Sequence, residues 1–156
     1  MGILNGKRVI ITGGAGGIGN AAMHLFHQEG AIIACTFHSE HPDLPAGALS
    51  ERCDLTDKSQ TDAVFDGFAR QLDGLDVLIH AAGAHGACPA DQLTSEAWED
   101  MFALNGKATL FTNQDAFRHM RNTGGSIVNM GSVEGIRGSA DHACYAATRG
   151  AVMSWT

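Results

Sequence analysis

A glycine-rich stretch at residues 12–19, Thr-Gly-Gly-Ala-Gly-Gly-Ile-Gly, has the composition of a phosphate-binding turn. Five of its eight residues are glycine, which is costly because glycine loses more backbone freedom on folding than any other residue. Such a run is favoured where backbone N–H groups must approach a phosphate at the N-terminus of a helix. An apolar run at residues 9–11 precedes it and a helical pattern follows it. We therefore predict a phosphate site here rather than a flexible loop.

Two registers of these glycines fit the binding of a dinucleotide. Gly14, Gly16 and Gly19 match the spacing Gly-x-Gly-x-x-Gly. Gly13, Gly17 and Gly19 match a second spacing, Gly-x-x-x-Gly-x-Gly. The glycines alone do not decide between the two registers, so the choice depends on residues elsewhere in the chain.

Short apolar runs alternate with helical patterns along the chain. We predict strands at residues 8–12, 31–37, 49–53, 77–81 and 126–130. Helices are predicted from the glycine turn to Gly30, from about 57 to 72, from about 95 to 121 with or without a break, and from 143 onward. Residues 131–142 are expected to form a loop. This alternation is typical of an α/β protein with a doubly wound parallel sheet and helices on both faces.

The carboxyl ends of the strands in such a sheet form the edge where ligands bind. We expect the glycine turn, Asp54, Gly83 and Ser132 to lie along this edge. The helical spacing also predicts which side chains face the sheet. The predicted inward sets are Ile18, Ala22, Leu25 and Glu29 on the first helix, and Trp98, Met101 and Phe102 on the third.

The composition limits the classes of function. The 156 residues correspond to one domain, residues 1–156, with 44% apolar and 17% charged residues. A net charge of −7 argues against a nucleic-acid partner, which would require a basic face. No apolar run approaches the ~20 residues of a membrane span, and residues 1–8 have no signal-peptide core. A cytoplasmic location is the resulting expectation.

Cysteine and histidine spacings give no sign of a metal site. None of the cysteines forms a Cys-x-x-Cys pair, which indicates reduced, mostly buried thiols. The four cysteines are Cys35, Cys53, Cys88 and Cys144. The pairs His24 with His27 and His38 with His41 lack a matching cysteine or carboxylate cluster, so no metal ligands are assigned. His85 and His142 are interpreted as exposed loop histidines.

A set of motifs in a fixed order resembles the first two thirds of the short-chain dehydrogenase/reductase family. The motifs are Thr12-Gly13-x-x-x-Gly17-x-Gly19, Asp54 after the third strand, Ala82-Gly83 after the fourth, Asn105, Ser132 and Tyr145. Tyr145 follows Ser132 by 13 residues (145 − 132), the usual family spacing. His80 and Ala81 stand where the family has two asparagines. The resemblance implies a Rossmann-type fold and selects Gly13, Gly17 and Gly19 as the register.

The resemblance implies an NAD(P)-dependent oxidoreductase that moves a hydride between a nicotinamide and a small-molecule carbonyl or secondary alcohol. By resemblance, Tyr145 is the general acid/base, Ser132 polarises the reacting oxygen and Asn105 holds a water in the proton relay. The expected cofactor-binding residues are Gly13, Gly17, Ile18, Gly19, His38, Asp54, Leu55, Ala82 and Gly83. A third class, another nucleotide or S-adenosylmethionine enzyme on the same fold, is opposed by Asn105, Ser132 and Tyr145 together.

Two departures from the family support an alternative reading. Arg149 occupies the position of the family's catalytic lysine, four residues after Tyr145. It keeps a positive charge on the same helix face, but a guanidinium does not release a proton. The sequence given also ends at Thr156, before the family's C-terminal strands. The alternative function is therefore a catalytically impaired or inactive dinucleotide-binding remnant.

Two further expectations concern the cofactor and the assembly. Residues 36–39 at the end of the second strand contain no acid to bind both ribose hydroxyls, so NADP is favoured over NAD. His38 and Ser39 are the residues proposed to accept a 2′-phosphate. The helices from about 95 to 121 and from 143 onward correspond by resemblance to the family's dimer-forming pair, which implies a homodimer or homotetramer.

Overall fold

Five parallel strands form one sheet in the computed structural model, which describes residues 2–87 and 89–156. The strands are β1 (Arg8–Thr12), β2 (Ile32–Phe37), β3 (Leu49–Arg52), β4 (Val77–His80) and β5 (Ser126–Asn129). Their order in the sheet is β3-β2-β1-β4-β5. The predicted strands are confirmed, each with its ends within one residue of the expectation.

The helices lie on the two faces of this sheet. They are α1 (Gly17–Gln28), α2 (Lys58–Gln71), α3 (Ser95–Phe102), α4 (Ala108–Met120), α5 (Glu134–Arg137) and α6 (Ala143–Trp155). A π-helical turn, Ala103–Lys107, joins α3 to α4, so the long helical pattern contains one break. The Asp57 carboxylate caps α2 by accepting hydrogen bonds from the backbone N–H groups of Ser59 and Gln60.

Two apolar cores form because alternate residues of each strand point to opposite faces. On one face, Ile10 and Leu78 pack against Phe65 and Phe68 of α2. On the other face, Ile11 and Ile79 pack against α1, together with further core residues Val9, Met23 and Ile33. Each such fully buried side chain contributes roughly 1.5–3 kcal/mol relative to an exposed one. The predicted doubly wound sheet with helices on both faces is therefore confirmed.

The predicted inward faces of two helices are wrong in part, since Ala22, Met101 and Phe102 are partly buried but three other residues are exposed. Ile18 and Leu25 are 60% and 55% exposed, whereas Gly19 and Met23 are buried. The reason is that α1 lies close to the glycine turn at Gly19. This contact orients the helix so that the face through positions 19 and 23 is buried. Trp98 of α3 is likewise 41% exposed.

The expected loop at residues 131–142 contains the short helix α5. Its first turn is held by the Ser132 hydroxyl, which accepts a hydrogen bond from the Glu134 N–H at 3.2 Å. Gly135 and Gly150 lie so close that a Cβ on Gly135 would come within 2.7 Å of the Gly150 nitrogen. The absence of both side chains lets α5 pack directly on α6.

The predicted burial of the cysteines is confirmed for those that are described. Cys35 and Cys53 are buried thiols, and burial raises the pKa of each to about 11. Cys144 is also buried, and Cys88 lies outside the described residues. Within the described ranges, every helix is too short or too polar to cross a bilayer.

Candidate active site

A cleft of about 540 Å³ lies at the carboxyl edge of the sheet. Six of the nine predicted cofactor-binding residues line it, namely Gly13, His38, Asp54, Leu55, Ala82 and Gly83. The other three, Gly17, Ile18 and Gly19, begin α1 beside the cleft without lining it. The structure therefore brings the glycine turn and the ends of β2, β3 and β4 to one place, as the topology predicts.

The glycines of the turn have different physical roles. Gly13 has a positive φ of 71°, and a Cβ there would lie 2.9 Å from the Ala82 backbone. A Cβ on Gly19 would lie 2.2 Å from the Gly13 carbonyl oxygen. Gly17, by contrast, has nothing within 4 Å of a Cβ. Packing thus requires glycine at positions 13 and 19, and leaves position 17 open to a ligand.

The N-terminus of α1 suits an anion. Its N-cap is Gly16, which has no side chain to cap the helix, and its first turn contains no acid. The N–H groups of residues 17–19 precede the first intrahelical bond, which Asn20 donates to Gly16. These N–H groups and the helix dipole favour a phosphate. The residues present therefore fit the diphosphate of a dinucleotide.

The far wall of the cleft holds an ordered carboxylate. Asp54 Oδ1 accepts hydrogen bonds from the Thr56 hydroxyl at 2.7 Å and the Thr56 N–H at 2.9 Å. These bonds lower the pKa of Asp54, so it is ionised at neutral pH. Glu40 also lines the cleft, one residue beyond the segment 36–39 whose lack of an acid favoured NADP. The sequence does not predict that Glu40 reaches the cleft, because the end of a strand does not fix the position of a residue in the loop that follows it.

Asn105 is fully buried in the π-helical turn and fixes the loop after β4. Its Oδ1 accepts from the Ala84 N–H and its Nδ2 donates to the Ala84 carbonyl, both at 2.9 Å. Nδ2 also lies 3.3 Å from the Thr148 hydroxyl of α6. The single-turn π-helix, a feature common at functional sites, thus links the β4 edge to the helix of Tyr145.

Tyr145 and Arg149 lie one turn apart on α6. The Arg149 guanidinium carbon is 5.1 Å from the centre of the Tyr145 ring, a cation–π distance. Arg149 is buried, and its Nη1 donates to the Met130 carbonyl at 2.9 Å. A Cβ on Gly83 would come within 2.6 Å of Arg149 Nη2, so glycine at this position leaves room for the guanidinium beside the β4 loop.

Ser132 lies just before α5, and its hydroxyl accepts the hydrogen bond from the Glu134 N–H described above. No hydrogen bond between Ser132 and Tyr145 is present among the described residues. Three of the predicted catalytic residues, Asn105, Tyr145 and Arg149, are thus connected through α6 and the β4 loop. The fourth, Ser132, lies on the segment that packs against α6.

His80, at the end of β4, is a buried residue of the site whose role sequence reasoning missed. Its Nδ1 lies 3.2 Å from the Thr12 hydroxyl and 2.8 Å from the Thr112 hydroxyl. Nε2 has no hydrogen-bond partner within the described chain. Burial, with a contribution from the positive charge of Arg149, lowers the pKa of His80 to about 3. The imidazole is therefore neutral and ties β1, β4 and α4 together.

This burial makes stability depend on pH. An unfolded histidine gains a proton below pH 6.5, whereas folded His80 does so only near pH 3, so falling pH favours unfolding across this window. We expect the free energy of unfolding to fall by about 2 kcal/mol between pH 7 and pH 5. In His80→Asn this loss should disappear, as measured by urea unfolding at the two pH values.

The matched control is His27→Asn, on the outer part of α1, which should keep the wild-type pH dependence. An unchanged loss of stability in His80→Asn would contradict the assignment, whatever the absolute stability of that variant.

The chain resembles known proteins over its whole length. A sequence model described as short chain dehydrogenase matches residues 7–156. Sorbitol dehydrogenase from Cereibacter sphaeroides is 32% identical over 161 residues, a match that covers 98% of this chain and 63% of that protein. The chain spans a little under two thirds of the length of the curated relatives it matches.

Solved structures are also similar to this chain. A short chain dehydrogenase from Mycobacterium smegmatis superposes with a TM-score of 0.92 at 28% identity, covering 100% of this chain and 70% of that one. A short chain dehydrogenase from Burkholderia cenocepacia J2315, in complex with NADP, has a TM-score of 0.87 at 28% identity, covering 98% and 66%. The chain therefore belongs to the short chain dehydrogenase family.

Proposed function

We propose that the protein is an NAD(P)-dependent oxidoreductase acting on a small-molecule carbonyl or secondary alcohol. The observation that carries this proposal is the connection of the glycine-turn cleft, through Asn105, to Tyr145 and Arg149 on α6. The NADP complex of one structural relative and the sorbitol dehydrogenase activity named for another relative support it.

The residues of the cleft would bind and orient the cofactor. The N–H groups at Gly17, Ile18 and Gly19 would bind the diphosphate, and Asp54 and Leu55 would contact the adenine end. Ala82 and Gly83 border the cleft where the β4 loop turns towards Arg149. When bound, the nicotinamide supplies the hydride donor or acceptor.

Tyr145 would transfer the proton to or from the substrate oxygen. A phenol must lose its proton to act as a base, and the Arg149 guanidinium carbon lies 5.1 Å from the centre of the Tyr145 ring. Ser132 would donate a hydrogen bond to the same oxygen from the start of α5. A hydroxyl and a phenol converging on one oxygen would orient it for hydride transfer.

Asn105 would hold the water of the proton relay. Its Nδ2 already faces Ala84, Met101 and Thr148, and Oδ1 accepts one bond from Ala84. An amide oxygen has a second lone pair, which is the group that we propose for the water. The buried position of Asn105 would keep that water ordered.

Arg149→Lys is expected to raise kcat. An ammonium can pass a proton to bound water, whereas a guanidinium stays protonated in practice. The smaller side chain also gives up the bond to the Met130 carbonyl and leaves room beside Gly83. We expect an increase of about tenfold, smaller than the ~10²–10⁴-fold that general acid–base catalysis contributes in full, measured as cofactor oxidation at saturating carbonyl substrate.

The matched control is Arg137→Lys, which makes the same change on an exposed position of α5 and should leave kcat unchanged. An unchanged or lower kcat in Arg149→Lys would count against the relay.

A second candidate function is a dinucleotide-binding protein that is impaired or inactive in catalysis. The buried, hydrogen-bonded Arg149 is the observation that favours it. Titration of the full-length protein with reduced cofactor, followed by a carbonyl screen that monitors cofactor absorbance, separates the two. Binding with turnover supports the oxidoreductase, binding without turnover supports the second function, and absence of binding contradicts both.

We propose NADP rather than NAD as the preferred cofactor. Arg52 Nε donates to the His38 carbonyl at 2.8 Å, so a second basic side chain lies beside His38 at this end of the cleft. Glu40 at the same mouth opposes a 2′-phosphate by charge. Fluorescence titrations that give tighter binding of NADPH than NADH support the preference, and clearly tighter NADH binding contradicts it.

A homodimer or homotetramer is proposed for the assembly. An apolar groove beside α3, α4 and α6 is lined in part by Trp98, Phe102, Leu110 and Trp155, and three of these side chains are at least 40% exposed. Sedimentation velocity that finds only monomers would contradict it.

The cytoplasmic location also remains a proposal, which cell fractionation tests.

A further inference from the structure

Three potential metal ligands from separate segments meet beside Tyr145. His85 lies in the loop after β4, Glu134 begins α5, and His142 is the N-cap of α6. His142 Nδ1 is 3.4 Å from Glu134 Oε1, and His85 Nε2 is 4.0 Å from the same oxygen. The two imidazole centres are 4.3 Å apart. The expectation that these are exposed loop histidines is therefore wrong for His142, whose side chain is only 24% exposed.

The distances suit a small divalent cation. One ligand atom from each residue lies within 4.8 Å of the others. Zinc–nitrogen and zinc–oxygen bonds of about 2.0–2.2 Å place tetrahedral ligands about 3.4 Å apart. The distance between His142 Nδ1 and Glu134 Oε1 already has this value. Small rotations of the partly exposed His85 side chain would bring its Nε2 to the same distance from Glu134 Oε1.

A bound cation would supply a partner that one carboxylate oxygen of Glu134 lacks among the described residues. Its Oε2 is buried and accepts no hydrogen bond from the described residues. A shielded carboxylate oxygen without a donor is unfavourable. The backbone of Glu134 is held by Ser132 and by the close packing of Gly135 on Gly150, so the carboxylate cannot easily turn out to water.

One contact competes with a metal at this site. The Ser139 hydroxyl lies 3.2 Å from His142 Nδ1, so this hydroxyl must rotate when Nδ1 binds a cation. The charged and titratable groups packed around the cluster are Tyr145, whose ring is 4.5 Å from that of His85, and Arg149, whose backbone lies against Gly135.

We propose that His85, Glu134 and His142 bind one divalent first-row transition ion, such as Zn²⁺, with a fourth position left for water or another ligand. Two imidazoles and one carboxylate are a ligand set that zinc uses at open sites. The bound ion joins the β4 loop to α5 and to the start of α6. It therefore fixes the three segments that surround Tyr145.

The test is metal binding by the full-length protein without an affinity tag. Calorimetric titration with Zn²⁺ should give one site, and Co²⁺ should give visible absorption typical of nitrogen and oxygen ligands. His85→Ala, with a half-exposed side chain, should weaken binding by about 100-fold or more, because it removes a direct ligand. His27→Ala is the matched histidine control and should leave the affinity unchanged.

Glu134→Gln, which keeps the shape of the side chain, should weaken binding similarly without changing the melting temperature of metal-free protein. Wild-type protein should be stabilised by Zn²⁺, because the ion binds only the folded site, and His85→Ala should not. Absence of a Zn²⁺ site, equal binding in His85→Ala, or thiolate-to-cobalt absorption would overturn the proposal. None of these readouts depends on turnover, so the proposal can fail or hold independently of the oxidoreductase function.

Discussion

Tyr145→Phe is expected to lower kcat by about 10³-fold while leaving cofactor affinity unchanged. The substitution removes only the phenol oxygen, which is the proposed proton donor and acceptor. General acid–base catalysis contributes about 10²–10⁴-fold to enzymatic rates. The ring remains to pack against His85 and Arg149, so the fold should be preserved. The measurement is cofactor oxidation in the presence of carbonyl substrate, with the dissociation constant determined separately.

Ser154→Ala is the matched control for this prediction. It removes a hydroxyl from the same helix α6, where Ser154 donates a hydrogen bond to the Gly150 carbonyl at 3.1 Å. This variant should keep wild-type turnover. A Tyr145→Phe protein that keeps more than about a tenth of wild-type kcat would rule out Tyr145 as the acid/base, given the range above. Weaker cofactor binding with unchanged kcat would instead place Tyr145 in the binding of cofactor.

Gly19→Ala is expected to destabilise the protein by about 3 kcal/mol and to abolish dinucleotide binding. The new Cβ would lie 2.2 Å from the Gly13 carbonyl oxygen and 2.8 Å from its carbon. Both are backbone atoms of the turn, so relief requires movement of α1 away from β1. Forced overpacking of this kind costs about 1–3 kcal/mol. Urea unfolding and a cofactor titration measure the two effects.

Gly17→Ala provides a matched substitution two residues away in the same turn. A Cβ at position 17 has nothing within 4 Å, and alanine favours a helix by about 1 kcal/mol over glycine. Its stability should therefore equal or exceed that of the wild type. Its cofactor binding should weaken, because the added methyl group occupies the approach of the diphosphate to α1. Equal stability of Gly19→Ala and Gly17→Ala would contradict the packing argument.

These paired glycines illustrate how a motif combines two requirements. The spacing of the motif treats Gly13, Gly17 and Gly19 alike, because each is a glycine at a fixed interval. In the folded chain, two of them allow backbone segments to touch and the third leaves space. The difference lies in which atoms stand opposite each Cα, and this depends on β4 and on the turn itself.

The sequence was sufficient for the sheet, the helices on both faces and the edge where the cleft forms. The strands are short apolar runs, and the helices repeat at their own period, so both are local signals that neighbouring residues carry. The family resemblance likewise depends on short motifs in order. The position of Asn105 within the long helical pattern was also predictable, although its π-helical turn was not.

The tertiary structure decided the contacts between residues far apart in the chain. The inward face of α1 depends on the close approach of Gly19 to Gly13. Hydrophobic periodicity carries no information about this contact. His80 lies between Thr12 and Thr112 only because β1, β4 and α4 pack there.

The grouping of His85 with Glu134 and His142 has the same origin. His85 precedes Glu134 by 49 positions (134 − 85), and no spacing rule joins it to Glu134 and His142. They meet because α5 packs on α6 through Gly135 and Gly150, and because the β4 loop ends at the same edge. The sequence by itself therefore determined the parallel sheet, the glycine-rich turn at its edge and the family. Packing alone decided which glycine is open to a ligand and which histidines share a carboxylate, because both depend on distances between distant segments.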